Sequence, residues 1–193
     1  MRKKTILAAS VLAAATVPVV AGISTADDTT MDTTANTSSQ VTAASASESA
    51  KAVLADGGTT LLDSHVSGNN DPDSTAKQNI QDTSDGNAAR TSPWSDVGVK
   101  KVNLSADMLA GLVSIGKDHP VRVTTIAGGD HSASSYHYAG TAVDIDRIDG
   151  SDVKAGNPKV DTLKAACQKL GAVEILGPGD PAHDTHVHCA WKS

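Results

Sequence analysis

All four aromatic residues of this 193-residue chain, Trp94, Tyr136, Tyr138 and Trp191, lie beyond residue 93, and there is no Phe. Large apolar side chains supply most of the surface a core can bury, so this asymmetry limits where a fold can form. From Asp27 to about Pro93 the chain is dominated by Thr, Ser, Ala, Asp, Asn and Gly. Such a segment cannot offset the entropy of ordering its backbone, and residues 27–93 are expected to be a disordered polar leader or linker. Within it Ala52, Val53 and Leu54 have some helical character, broken at once by Gly57-Gly58; a flexible spacer is the preferred reading over a short helix. His65 reads as a solvated side chain rather than a ligand. The folded unit is then expected over 94–193, a small domain that a metal and a disulfide would supplement.

The N-terminus has the organisation of an export signal. Arg2, Lys3 and Lys4 precede an apolar run from Ile6 to Ile23, and Ser24-Thr25-Ala26 offers small residues for cleavage. Residues 1–26 are read as a signal peptide, with Pro18 and the small-residue exit favouring cleavage over an uncleaved anchor. No stable membrane insertion is expected afterwards, and the protein is expected to be secreted and associated with the cell wall. In an oxidising compartment Cys167 and Cys189 are expected to pair, in preference to a zinc site built on both thiolates. The net charge of −6 and the lack of a basic patch interleaved with aromatics argue against a nucleic-acid partner.

Beyond residue 94 the pattern alternates between helix and strand. Ser105 can cap a helix over 106–116, with Met108, Leu109, Leu112 and Val113 on one face. Val121, Val123 and Thr125 alternate with polar residues as in a half-buried strand. A strand is expected over 141–145, a helix after Asn157-Pro158 that Gly171 stops, and further strands over 172–176 and 185–191. These elements make an α+β domain, a small antiparallel sheet with flanking helices. On the last strand His186 and His188 would share one face while Cys189 reaches Cys167 on a helix behind the sheet.

The chemistry is concentrated in two stretches. Ser135-Tyr136-His137-Tyr138-Ala139-Gly140-Thr141-Ala142-Val143-Asp144 carries a histidine and a carboxylate seven positions apart. His183-Asp184-Thr185-His186-Val187-His188 answers it downstream. Imidazole nitrogen and carboxylate oxygen are the donors that hold a catalytic zinc while leaving one position open to water. Metal-assisted hydrolysis is the chemistry that follows.

Ser135-x-His137-x-x-Gly140-x-Ala142-x-Asp144, followed by His186-x-His188, resembles the LAS group of zinc peptidases (lysostaphin, D-Ala-D-Ala metallopeptidases, hedgehog). The first motif is most similar to the D-Ala-D-Ala carboxypeptidase and dipeptidase branch, and the resemblance spans about Ser95 to Trp191. It implies a hedgehog- or DD-peptidase-like fold and Zn2+ held by His137, Asp144 and His188. Ser135 would hold the loop and Gly140 would let the backbone turn close to the ion. His186 would stabilise an oxyanion or orient water. For the general base the first choice is Asp184, with Glu174 and His183 as rivals.

Relatives that bind a free C-terminal carboxylate carry an upstream Arg. The corresponding segment here, Thr125 to His131, has none, and alternation could turn Arg122 away, which leaves endopeptidase cleavage open. Asp130 and His131 are read as solvated loop residues in preference to cleft-lining ones. The expected function is a secreted, monomeric, zinc-dependent peptidase hydrolysing peptidoglycan stem peptides or cross-links, of D,D-carboxypeptidase or endopeptidase type. The alternative is a non-catalytic, zinc-stabilised cell-surface binding module. A metal-dependent amidase or phosphoesterase is disfavoured, since the sequence shows no second metal cluster.

Overall fold

A computed structural model of the chain describes residues 45–192. The signal segment expected over 1–26, and the leader as far as residue 44, lie outside the described residues.

The first described element is a helix over residues 45–55 (α1). It buries Ala46, Ala50 and Val53, spaced four and three apart as one helical face requires. After Gly57-Gly58 the chain enters strand β1 (Thr59–Leu61). A short 3-10 turn (Pro72–Ser74) leads into α2 (Ala76–Ser84), whose first turn is capped by Thr75 Oγ1 accepting the Gln78 N–H at 3.2 Å. Strands β2 (Ala89–Arg90) and β3 (Lys101–Val102) form a separate antiparallel pair. Helix α3 (Ala106–Asp118) starts at Ser105, whose hydroxyl accepts the Met108 N–H, as its sequence signal implies. Strands β4 (Val121–Thr125), β5 (Ala142–Ile148) and β6 (Ser151–Asp152) follow. Helix α4 (Lys159–Lys169), β7 (Glu174–Leu176) and β8 (Val187–Ala190) complete the order. Asn157 Oδ1 accepts the Lys159 N–H at 3.0 Å, so the expected Asn-Pro start of α4 is present.

The class is mixed α+β. The main sheet runs β1-β4-β5-β8-β7, with β6 added to β5. It is a mixed sheet rather than the purely antiparallel one expected, because β1 pairs with β4 in parallel, Thr59 opposite Val121 and Leu61 opposite Val123. A parallel pair needs a long crossover, and here α2, the β2–β3 pair and α3 supply it.

Residues 45–93 are therefore not a disordered leader. They contribute an edge strand, two helices and the side chains of Ala46, Ala50, Val53, Ala76, Ile80 and Ala89 to the same core as Met108, Leu112, Ile145 and Leu163. The inference from missing aromatics fails because the core is built mainly of aliphatic side chains, Trp191 being its one aromatic member among the described residues. Its largest fully buried apolar side chains are Ile, Leu, Met and Val. Small and branched side chains pack densely when backbones approach closely. Gly58 shows how closely: a Cβ there would stand 1.9 Å from the Gly116 carbonyl oxygen, so only glycine lets β1 enter against α3.

Cys167 of α4 is bonded to Cys189 of β8 on the helix side of the sheet, as expected. Val143, Ile145 and Val187 face the same interior, all fully buried. Asp144 and His188, directly opposite one another across β5 and β8, face the other way. No described helix is long and apolar enough to cross a membrane.

Candidate metal centre

The register of β5 and β8 places Asp144 beside His188. His137 reaches them from the loop before β5, which is wound into a tight turn: Gly140 donates to the His137 carbonyl at 3.0 Å and has φ +74°. The turn that Gly140 was expected to permit is present, and the glycine has a second reason. A Cβ there would lie 2.3 Å from the Asn103 carbonyl oxygen, so the glycine accommodates the chain leading into α3. Ser135 does hold the loop, its Oγ accepting the His137 N–H at 3.3 Å.

The three atoms meet in a triangle. His137 Nε2 lies 3.1 Å from Asp144 Oδ1 and 3.1 Å from His188 Nδ1, and His188 Nδ1 is 3.0 Å from Asp144 Oδ1. All three side chains are buried. His137 Nδ1 lies 2.5 Å from the Ile126 carbonyl and must donate its proton there, which leaves Nε2 bare. His188 Nε2 faces Glu174 Oε1 at 3.3 Å, too poorly aligned for a hydrogen bond, so this buried nitrogen has no hydrogen-bond partner. A proton on that side leaves His188 Nδ1 bare as well. Three lone-pair atoms about 3 Å apart repel one another unless a cation or proton sits among them. The spacing approximates the roughly 3.3 Å edge of a tetrahedron of nitrogen and oxygen donors around zinc.

The electrostatics agree. With a proton in place of a cation among the three atoms, burial alone would raise the pKa of Asp144, but the charge then on His137 and hydrogen bonds from His137 and His188 hold it well below the usual carboxylate range. Burial would lower that of His137, yet the charge and hydrogen bond of Asp144 raise it on balance. The carboxylate thus stays ionised and attracts a positive species.

His131 is the residue the sequence reading missed. Its ring stacks on His137, centroids 4.0 Å apart at 17°, and His131, His137 and Asp144 offer ligand atoms within 4.8 Å of one another, a group able to hold a metal ion. It is not a solvated loop residue: Tyr138 Oη accepts its N–H at 2.8 Å, and its Nε2 donates to the Gly128 carbonyl at 3.1 Å. Burial, reinforced by the His137 charge, lowers its pKa to about 4. The signal available was Gly128-Gly129, a tight approach that returns the next residues to the site.

The centre lies in a cleft of about 950 Å³. His183, His186 and Glu174 line it, with His186 Nε2 3.7 Å from Asp144 Oδ1. Burial lowers the pKa of His186. Asp184 does not line the cleft and is exposed, so the first-choice base is not brought to the centre. The turn at 181–185 explains this: His183 Nδ1 donates back to the Pro181 carbonyl at 2.6 Å, which sends His183 inward and leaves Asp184 outside.

The chain matches no known family model and no curated protein.

His65, read from sequence as solvated, also lines this cleft, its ring edge-on to Trp94 at 4.9 Å. Its Nε2 lies 3.0 Å from the Asp71 carbonyl and 3.3 Å from Ser74 Oγ. The segment expected to be a leader therefore builds one wall of the site. Arg122, as its alternation suggested, is not among the cleft residues; its guanidinium makes a bidentate pair with Asp146 at 2.8 and 2.6 Å.

Proposed function

We propose that this protein is a secreted zinc-dependent peptidase of the LAS type, acting on peptidoglycan stem peptides or cross-links. The observation that carries the reading is the triangle of facing atoms on His137, Asp144 and His188, all three lining a large cleft. His188 is preferred to His131 as third ligand, since its nitrogen is within 3.1 Å of both other donors. The His131 ring lies parallel to His137, so its in-plane lone pair does not converge with that of its neighbour. Zinc bound there would polarise a scissile carbonyl and make water acidic enough to attack near neutral pH.

The chain's own residues supply the rest. The Ile126 carbonyl fixes the His137 tautomer, while Glu174 stands 3.3 Å from His188 Nε2 and favours a proton on that nitrogen by its charge. Its lowered pKa keeps His186 unprotonated at neutral pH. It can therefore take a proton from water in the cleft and return it to the leaving amine. His183, its ring 4.9 Å from that of His186, packs beside it. Export is what the N-terminal signal implies, wall association is what the resemblance implies, and the Cys167–Cys189 disulfide is consistent with export.

The second reading, a zinc-stabilised binding module, is favoured by one fact: the leading carboxylate base stands outside the cleft. The deciding experiment is metal analysis of the purified full chain with mass spectrometry of defined muropeptides after incubation. Stoichiometric zinc and EDTA-sensitive release of fragments support the peptidase. Stoichiometric zinc with muropeptides retained uncut supports the binding module, and absence of zinc uptake overturns both.

A further inference from the structure

The charge of the cleft bears on which peptides enter it. Besides the donors of the metal centre, its lining carries three carboxylates, Asp96, Asp130 and Glu174, and no Lys or Arg among the described residues. Glu174 is engaged with His188, whereas Asp96 and Asp130 have no ion-pair partner among the described residues. The arginines that could have supplied a positive arm are committed elsewhere. Arg122 is held by Asp146, and Arg90 by Asp71 and Asp73 at 3.3 and 2.6 Å.

One buried residue ties together the backbones that carry these two exposed carboxylates. Ser92 Oγ accepts the N–H of Gly129 at 2.9 Å, immediately before Asp130. The Ser92 carbonyl accepts the N–H of Ser95 at 3.1 Å, immediately before Asp96. Ser92 is in turn joined through its hydroxyl to Ser74 at 2.8 Å, beneath the wall that His65 forms. Two loops distant in sequence are thereby clamped so that both acids line one cavity with the metal donors. A free carboxylate entering there meets like charge with no guanidinium fork to receive it. An ammonium group meets two acids that have no competing cation.

We propose that this cleft selects peptides bearing a protonated amino group near the scissile bond and disfavours a free C-terminal carboxylate, with Asp96 and Asp130 as the selecting residues. The protein then acts within chains or cross-links rather than trimming a terminus; this rests on the peptidase reading above.

The test uses the zinc-loaded full chain and three probes: a Lys-D-Ala-D-Ala peptide with a free side-chain amine, the same peptide Nε-acetylated, and its C-terminal amide. Binding is read by calorimetry and cleavage by mass spectrometry. Acetylation is expected to weaken binding about fivefold and amidation to strengthen it by a similar factor, both effects shrinking at high salt. In the D96N/D130N variant both preferences flatten while zinc content stays unchanged. Equal binding of free and acetylated peptides, tighter binding of the free acid than of the amide, or no binding of any probe overturns the proposal. Cleavage without preference leaves the peptidase reading standing and removes this one; preferential binding without cleavage does the reverse.

Discussion

At the residue scale the site depends on groups that are not themselves donors. His186 and Asp184 are two positions apart, yet only the first lines the cleft. His186→Ala is expected to lower kcat by about 10²-fold or more with zinc content unchanged, as loss of a proton carrier does. Asp184→Asn is expected to stay within about twofold of wild type, consistent with an exposed charge outside the cleft lining. Steady-state kinetics with parallel metal analysis checks both. His131 makes a separate prediction. Its pKa falls from an ordinary 6.5 to about 4 on folding, so between those values the unfolded chain binds more protons than the native one. Stability is therefore present above pH 6.5 and lost as pH drops towards 4, by about 2–3 kcal/mol after allowance for partial exposure. Denaturant unfolding of EDTA-treated protein at pH 7, 5 and 4 should show this loss, and His131→Asn should reduce it.

At the element scale β8 carries both functions of the sheet. Its outward residue His188 is a donor of the centre, and the next residue, Cys189, is tied inward to α4. The alternation of the strand makes that division legible from sequence, as was the disulfide. Removing the bond with C167S/C189S should cost about 3 kcal/mol for a loop of 22 residues and weaken zinc retention by loosening the strand. Thermal unfolding and competition with a chelator measure the two effects. Helices α3 and α4 were equally readable, because their caps and apolar spacing are local. Strand β1 was not. Three residues, Thr59-Thr60-Leu61, hold no periodic signal, and they become a strand only because β4 offers a free edge.

At the scale of the whole molecule, the sharpest consequence concerns where the domain begins. Asn79, fully buried on α2, donates from Nδ2 to the Arg90 carbonyl at 3.1 Å and accepts the Ala127 N–H at Oδ1, 2.9 Å away. Ala127 follows Ile126, whose carbonyl fixes His137. A side chain from the supposed leader thus braces the backbone behind the first donor. A fragment of residues 95–193 should fail to fold or bind zinc, since it lacks an edge strand and part of the core. Asn79→Ala in the full chain should lose about 1–3 kcal/mol by orphaning a buried N–H, and should reduce zinc affinity. Circular dichroism and zinc titration of both proteins test the claim.

The amino-acid order alone determined the α+β pattern of 105–191, the cysteine pair and the candidate donors His137, Asp144 and His188, because caps, alternation and ligand spacing act over a few residues. Tertiary structure decided what those local rules do not reach. It drew residues 45–93 into the core through aliphatic packing, stacked His131 on His137, turned Asp184 away from the cleft and placed Asp96 and Asp130 on the lining of one cleft. The first and last of these depend on contacts between segments remote in sequence, whose free energy appears only when the chain has closed upon itself, and the other two on irregular turns that carry no periodic signal.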